Sequence, residues 1–185
     1  MGLPAQDDPR SDELLVAAAN DGDTLAFEAL YYRYRDWVVR LAYRLTGNRD
    51  DALDALQETF AYLARKFPGF RLSAKLTTFL YPVVKHTALR LARKRRRSVP
   101  TDQAVPEVAV SPDARRAASR ADLAAVLSTL REKHREVLLL RFVDGLTIEE
   151  IAAALHIRVG TVKSRLHNAL NKLRRDPRTK HYFGL

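Results

Sequence analysis

Along the first half of the chain, apolar residues recur at steps of three and four, the period of a helix that buries one face. Phe27, Leu30, Tyr31, Tyr34, Val38, Leu41, Ala42 and Leu45 form the first such stripe, and Gly47-Asn48 marks its end. A second stripe runs through Leu53, Leu56, Phe60, Leu63 and Phe67, and Pro68-Gly69 closes it. It opens with Asp50-Asp51, whose charges suit the positive end of a helix dipole. The third comprises Phe79, Leu80, Val83, Val84, Thr87 and Leu91 and leads into Arg93-Lys94-Arg95-Arg96-Arg97. Pro82 falls within it, and an interior proline costs about 3 kcal/mol or kinks the helix. The main helix is therefore expected to start at Thr78, with 68–77 a loop or a short separate turn.

From Ser98 to about Asp113 the periodicity vanishes, and Pro100, Pro106 and Pro112 punctuate small and polar residues that cannot fill a core. Helical spacing resumes with Leu123, Val126, Leu127 and Leu130, then Val137, Leu138 and Leu140, before a break at Asp144-Gly145. Thr147-Ile148-Glu149-Glu150 is a capping-box pattern, followed by a buried face of Ile148, Ile151, Ala152 and Leu155. After a turn at His156–Gly160, Thr161 is expected to start a last helix with Val162, Leu166, Ala169, Leu170 and Leu173 on its apolar side. No segment reads as a strand. The expected fold is all-α, with two small helical domains joined by a flexible linker: an N-terminal segment over 1–23, a first domain over 24–97, the linker over 98–120, a second domain over 121–175 and a tail over 176–185.

The segment 147–173 has the layout of a helix-turn-helix, in which the first helix is anchored so that the second can probe the major groove of DNA. Small Ala152 and Ala153 let the two axes approach. Thr161, Lys163, Ser164, Arg165, His167 and Asn168 lie near the start of the probe helix, where donors and positive charge would meet base edges and phosphates. A helical hairpin with a solvated basic face is the plainer alternative, but capped helix, tight turn and Thr-Val-Lys-Ser-Arg occur here in order. His156 reads as a turn residue, because His tolerates the left-handed region better than most. No carboxylate cluster accompanies His156 and His167, so no metal site is expected.

Composition narrows the class. The 185 residues carry a formal net charge of +10, which favours a polyanionic partner through release of counterions condensed on phosphates. With no cysteine in the chain, a disulfide framework, a thiolate metal site and a cysteine nucleophile are all excluded. No run approaches the ~18 apolar residues of a spanning helix, and the first residues are polar and acidic. A cytoplasmic chain without membrane insertion is expected. There is no Ser/His/Asp set, metal cluster or phosphate-binding glycine loop, so neither catalytic activity nor a cofactor is expected.

At this point the motifs resemble a known family. Arg135–Arg141, Gly145-Leu146-Thr147-Ile148-Glu149-Glu150-Ile151-Ala152 and Gly160-Thr161-Val162-Lys163-Ser164-Arg165 are similar to region 4 of bacterial sigma factors, which reads the −35 promoter element. Response regulators of the quorum-sensing type end in a similar helix-turn-helix, but the alternating strands and helices of a receiver domain are missing. Asp51-Ala52-Leu53-Asp54-Ala55-Leu56-Gln57-Glu58-Thr59-Phe60 resembles region 2.2, which docks on the clamp of core RNA polymerase. Thr78–His86 and the basic run after it resemble regions 2.3 and 2.4, which melt and read the −10 element. The whole looks like a small sigma factor of the extracytoplasmic function (ECF) type.

The resemblance implies core-polymerase contacts from Asp51, Asp54, Gln57, Glu58 and Phe60. It implies −10 contacts from Phe79, Tyr81, Lys85, His86, Arg90, Arg93 and Lys94, where aromatic faces can stack unpaired bases and cations can hold the displaced strand. It implies −35 contacts from Arg141 together with Thr161, Lys163, Ser164, Arg165, His167 and Asn168, and capture of a flipped −10 base by the loop 68–77. Implied partners are RNA polymerase core with its beta and beta-prime subunits, promoter DNA and an anti-sigma factor, with the free chain a monomer. The rival reading is a helix-turn-helix regulator that binds DNA without polymerase. Leu53 stands where the family has Glu, Phe79 where it has Trp, Pro82 where it has a non-proline and His86 where it has Asn. Thr59 is a candidate for regulatory phosphorylation.

Overall fold

The computed structural model describes residues 8–98 and 124–179. All regular structure among them is helical, and the chain divides into two compact units, Met1–Pro106 and Glu107–Leu185. The linker expected over 98–120 falls almost wholly outside the described residues, as does the end of the tail.

Unit 1 contains α1 (Asp12–Asn20), α2 (Thr24–Thr46), α3 (Arg49–Ala64) and α4 (Leu76–Ser98). Helix α1 lies in the segment to which the sequence assigned no element. Ser11 caps it by accepting from the amide of Leu14, Asp12 and Glu13 occupy its first turn, and Leu15 and Val16 are buried. α1 packs on α2, and α2, α3 and α4 all pack on one another. Asp23 caps α2 through the amides of Leu25 and Ala26, and Gly47 ends it in the left-handed region at φ 65°, where a side chain would strain the backbone. Asn48 caps α3 by accepting from the amide of Asp51.

The buried face of α3 is rotated from the expected stripe. Ala52, Ala55, Leu56, Thr59, Phe60 and Leu63 are inside, Leu53 is 41% exposed, and Phe67 lies beyond the helix end. The rotation follows from the small alanines, which let α3 approach its neighbours closely on their side. Helix α4 starts at Leu76, two residues before the expected Thr78, and carries Pro82 in its second turn. The proline withholds only the amide that the Thr78 carbonyl would accept, and Leu76 and Leu80 are fully buried. Burial of those two leucines outweighs one lost hydrogen bond.

Side chains stitch unit 1 together over long sequence distances. Arg33 pairs with Asp12 at 2.6 Å, and the Tyr34 hydroxyl donates to the same carboxylate. Burial, then the hydrogen bond and charge of Asp12, push the Tyr34 phenol up from its ordinary range. Phe60 meets Tyr31 and Phe27 edge-on, Phe27 meets Phe67, Phe67 meets Phe70, and Phe70 meets Phe79 at 4.8 Å between ring centres. This aromatic chain links α2 and α3 to the connection 65–75 and the first turn of α4.

Unit 2 contains α5 (124–129), α6 (Glu132–Phe142), α7 (Ile148–Leu155) and α8 (Val159–Arg175). α8 packs against both α6 and α7. The core is small: Val126, Leu130, Val137, Leu138, Leu140, Leu146, Ile151, Val162, Leu166, Ala169 and Leu173. Its local signals are strong. The capping box at Thr147 is complete, with the Glu150 amide donating to the Thr147 hydroxyl at 3.1 Å and the Thr147 amide to the Glu150 carboxylate at 2.8 Å. α8 begins at Val159, two residues before Thr161, and ends in a turn where the buried Thr179 hydroxyl donates to the Leu173 and Asp176 carbonyls.

Candidate polymerase and promoter interfaces

On α3 the expected polymerase-binding residues divide into two groups. Asp54, Gln57 and Glu58 are exposed, whereas Asp51 and Phe60 are buried. The Asp51 carboxylate accepts from Nε of Arg95 at 2.8 Å, and Nη2 of the same arginine donates to the Thr46 carbonyl at 3.0 Å. One guanidinium thus ties the end of α2, the start of α3 and the end of α4, and Asp51 acts within the unit. Phe60 belongs to the aromatic chain. The exposed side of α3 is Asp50, Leu53, Asp54, Gln57 and Ala61, a face on which Leu53 is the one large apolar residue among carboxylates and an amide. The spacing had placed Leu53 in the core. Its exposure is what puts the family's departure from Glu on this outward face. Thr59, the candidate for phosphorylation, is fully buried with its hydroxyl unpartnered, so no kinase can reach it in this fold.

The expected −10 residues lie on α4 and divide in the same way. His86, Arg90, Arg93 and Lys94 are exposed and Lys85 is half-buried. Tyr81 is only 2% exposed, so its ring faces the core and offers no surface to a base. Phe79 is half-buried, held between the edge contact with Phe70 and a stacked contact with Tyr62 at 6.3 Å. Arg90 is ion-paired with Glu58 of α3, an interaction that raises the Arg90 pKa through its hydrogen bond. A residue expected to meet polymerase and one expected to meet DNA are therefore partners here.

The loop is flanked by cations that helical spacing does not reveal. Lys66 lies 4.7 Å and Arg65 6.0 Å from the Tyr62 ring centre, and Arg71 and Lys75 are exposed along 68–77. They sit outside the stripes, so helical periodicity carried no signal for them. A count of Lys and Arg through the loop could have found them.

In unit 2 the helix-turn-helix residues stand clear of the core. Lys163, Ser164, His167 and Asn168 are exposed along one side of α8, opposite Val162, Leu166, Ala169 and Leu173. Thr161 and Arg165 are half-buried at the margins of that stripe. The Ser164 hydroxyl donates to the Thr161 carbonyl at 3.0 Å, and the Asn171 amide meets Nε2 of His167 at 2.8 Å, so two of the probe residues are oriented by their own helix. His156 takes the left-handed conformation at φ 52° and ends α7, as the turn reading expected. Arg141 is exposed, but its Nη1 donates to the Leu146 carbonyl at 2.9 Å and bridges the α6–α7 connection. Burial and the nearby Lys133, Arg131, Arg165 and Lys172 push the His134 pKa down.

Comparisons with known proteins agree with this geometry. Residues 30–98 match Sigma-70 region 2, and residues 120–173 match Sigma-70, region 4. The ECF RNA polymerase sigma factor SigE of Mycolicibacterium smegmatis is 33% identical over 182 residues, covering 95% of this chain and 70% of that protein. The solved structure of CnrH in complex with the cytosolic domain of CnrY superposes with a TM-score of 0.65 at 24% identity, covering 87% of this chain and 93% of that one. The sigma factor RpoE in complex with the anti-sigma factor NepR from Bartonella quintana superposes with a TM-score of 0.58 at 24% identity, covering 80% and 94%. With both sigma regions matched in order and a relative at this identity aligned over 95% of the chain, the chain belongs to the ECF family of RNA polymerase sigma factors.

Proposed function

We propose that this sigma factor directs core RNA polymerase to specific promoters by dividing the work between its two units, in a stress or envelope response. The exposed side of α3, with Asp54, Gln57 and Glu58, meets the core enzyme, its beta and beta-prime subunits together forming the partner surface. The loop 68–77 and the exposed cations of α4, His86, Arg90, Arg93 and Lys94, take the melted −10 strand. Helix α8 enters the major groove at −35 and reads it with Lys163, Ser164, His167 and Asn168, while Arg141 holds the α6–α7 connection in place. The observation that carries this reading is the placement of a capped helix-turn-helix with a clear polar probe face in the same chain as a region 2 bundle.

The chain supplies recognition, and phosphodiester bond formation stays with the polymerase. Among the described residues no group of His, Asp and Glu could hold a metal ion, and no helix is long and apolar enough to cross a membrane. It acts in the cytoplasm, where the polymerase is, and is a monomer when free. An anti-sigma factor is an expected partner, supported by the fold shared with the RpoE–NepR complex. The test is run-off transcription with purified core polymerase and a promoter library. A specific transcript that depends on added protein, together with a stable core complex, supports the reading. Strong footprints on DNA without polymerase, and no transcript, would favour a conventional helix-turn-helix regulator.

A further inference from the structure

The last residue of α1 reaches across fifty positions of sequence to the loop before α4. Asn20 Oδ1 accepts from the amides of Gly69 at 2.7 Å and Phe70 at 3.0 Å, and its Nδ2 donates to the Phe70 carbonyl at 2.8 Å. One side-chain amide thus satisfies three backbone groups of two adjacent residues in a segment with no ladder or helix of its own. Gly69 sits there at φ 105°, a conformation open to glycine and strained for any other residue. On its other side the segment is held by Phe70, which is buried and packs on Phe67 and on Phe79 in the first turn of α4. Asn20 is itself fixed, because α1 is anchored by buried Leu15 and Val16 and by the pairing of Asp12 with Arg33. The stretch from Arg71 to Lys75 then projects from this fixed root, with Arg71, Ser73, Ala74 and Lys75 exposed.

From this geometry we infer that Asn20 is a positioning residue for promoter selection: it sets the shape of the loop 68–77 and so its discrimination among −10 bases. Helix α1, outside the region 2 match at 30–98, thereby becomes part of the reading apparatus. Reading single-stranded bases by pocket and stacking demands a loop fixed to a fraction of an ångström, and a side chain spanning three backbone groups supplies that at little entropic cost. The inference rests on the proposed role of 68–77 in −10 recognition.

The test is transcription by reconstituted holoenzyme from a library randomised at −10 and at −35, followed by sequencing of the transcribed promoters. Three variants are compared with the wild type: Asn20→Ala, Asn20→Asp, which keeps both accepted bonds and loses the donated one, and a loop variant combining Arg71→Ala with Ser73→Ala. Asn20→Ala is expected to weaken the preference at one or two −10 positions about tenfold, with Asn20→Asp between it and the wild type. The −35 preference and the affinity for core polymerase stay unchanged. The inference is overturned if the loop variant alters the −10 preference and Asn20→Ala does not, or if Asn20→Ala lowers transcription equally from every promoter, the mark of a purely structural role. If the loop variant also leaves the −10 preference intact, the loop reading itself fails and the inference with it. Should Asn20→Ala not fold by circular dichroism, Asn20→Asp decides: an unchanged −10 preference there overturns the proposal.

Discussion

Unit 1 and unit 2 build their proposed recognition surfaces in opposite ways. In unit 2 the surface is a single helix, and what holds it is local: a capping box four residues long, a left-handed His156, a turn closed by Thr179 and a small apolar core beneath. In unit 1 the surface is assembled from a helix face, a loop and a second helix, held by side chains that meet across 44 residues (Asp51 and Arg95) and across 50 (Asn20 and Phe70). A probe helix needs only to be presented. A surface with the proposed tasks of gripping a large enzyme and sorting single-stranded bases must keep several segments in register, and polar ties with fixed geometry do that where apolar contacts alone would permit sliding.

If this contrast is right, damage in unit 2 should be simple and large. Ile151 of α7 is fully buried, and Ile151→Ala is expected to cost about 2–5 kcal/mol. Unit 2 has a small core, so its hydrogen-exchange protection should be lost while that of α2 and α3 in unit 1 persists. Equal loss in both units would mean that they fold as one. In unit 1 the sharper probe is Arg95→Ala, which strands the Asp51 carboxylate, 12% exposed, and the Thr46 carbonyl. The expected loss is about 1–3 kcal/mol in thermal or denaturant melts, with a smaller loss in the double variant Arg95→Ala/Asp51→Asn, because the buried charge is then gone. A double variant no more stable than the single one would deny the tie.

Smaller effects sharpen the local side of the comparison. Thr147→Ala removes one half of the capping box and is expected to destabilise unit 2 by about 1 kcal/mol. The Glu58–Arg90 pair, both partners nearly half exposed, is screened by solvent and should contribute little to stability, so Glu58→Gln is expected to leave the melting temperature almost unchanged while weakening core-polymerase binding. The smallest effect is that of His134. Folding holds its pKa below the ordinary 6.5, so the unfolded chain takes up more protons there, and unit 2 loses a little stability as pH falls through 6.5 toward the folded value. His134→Gln should remove that acid-side slope in melts run between pH 7 and 5.

The same contrast explains what could be read in advance. The capping box, the turn at His156 and the probe face of α8 are decided by neighbours in sequence, and all were legible there. Helix α1 was missed: its signals, Ser11, Asp12-Glu13 and Leu14-Leu15-Val16, belong to a short helix with a thin stripe. The face of α3 was ambiguous, since 52, 55, 59 and 63 satisfy the helical spacing as well as 53, 56, 60 and 63, and only packing shows that the alanines lie inside. Tyr81 was misplaced because aromatic character suits both a base and a core. Nothing local announces that Asp51 meets Arg95 or that Asn20 meets Phe70; those pairs exist only once the bundle has closed.

The central claim is the division of labour between the units, and site-specific photo-crosslinking in the promoter complex tests it most directly. With the crosslinker at position 57 on α3 and, separately, at position 168 on α8, the account predicts capture of a polymerase subunit from the first and of −35 DNA from the second. Capture of −35 DNA from position 57, or promoter capture from position 168 at full strength with no polymerase present, would contradict it.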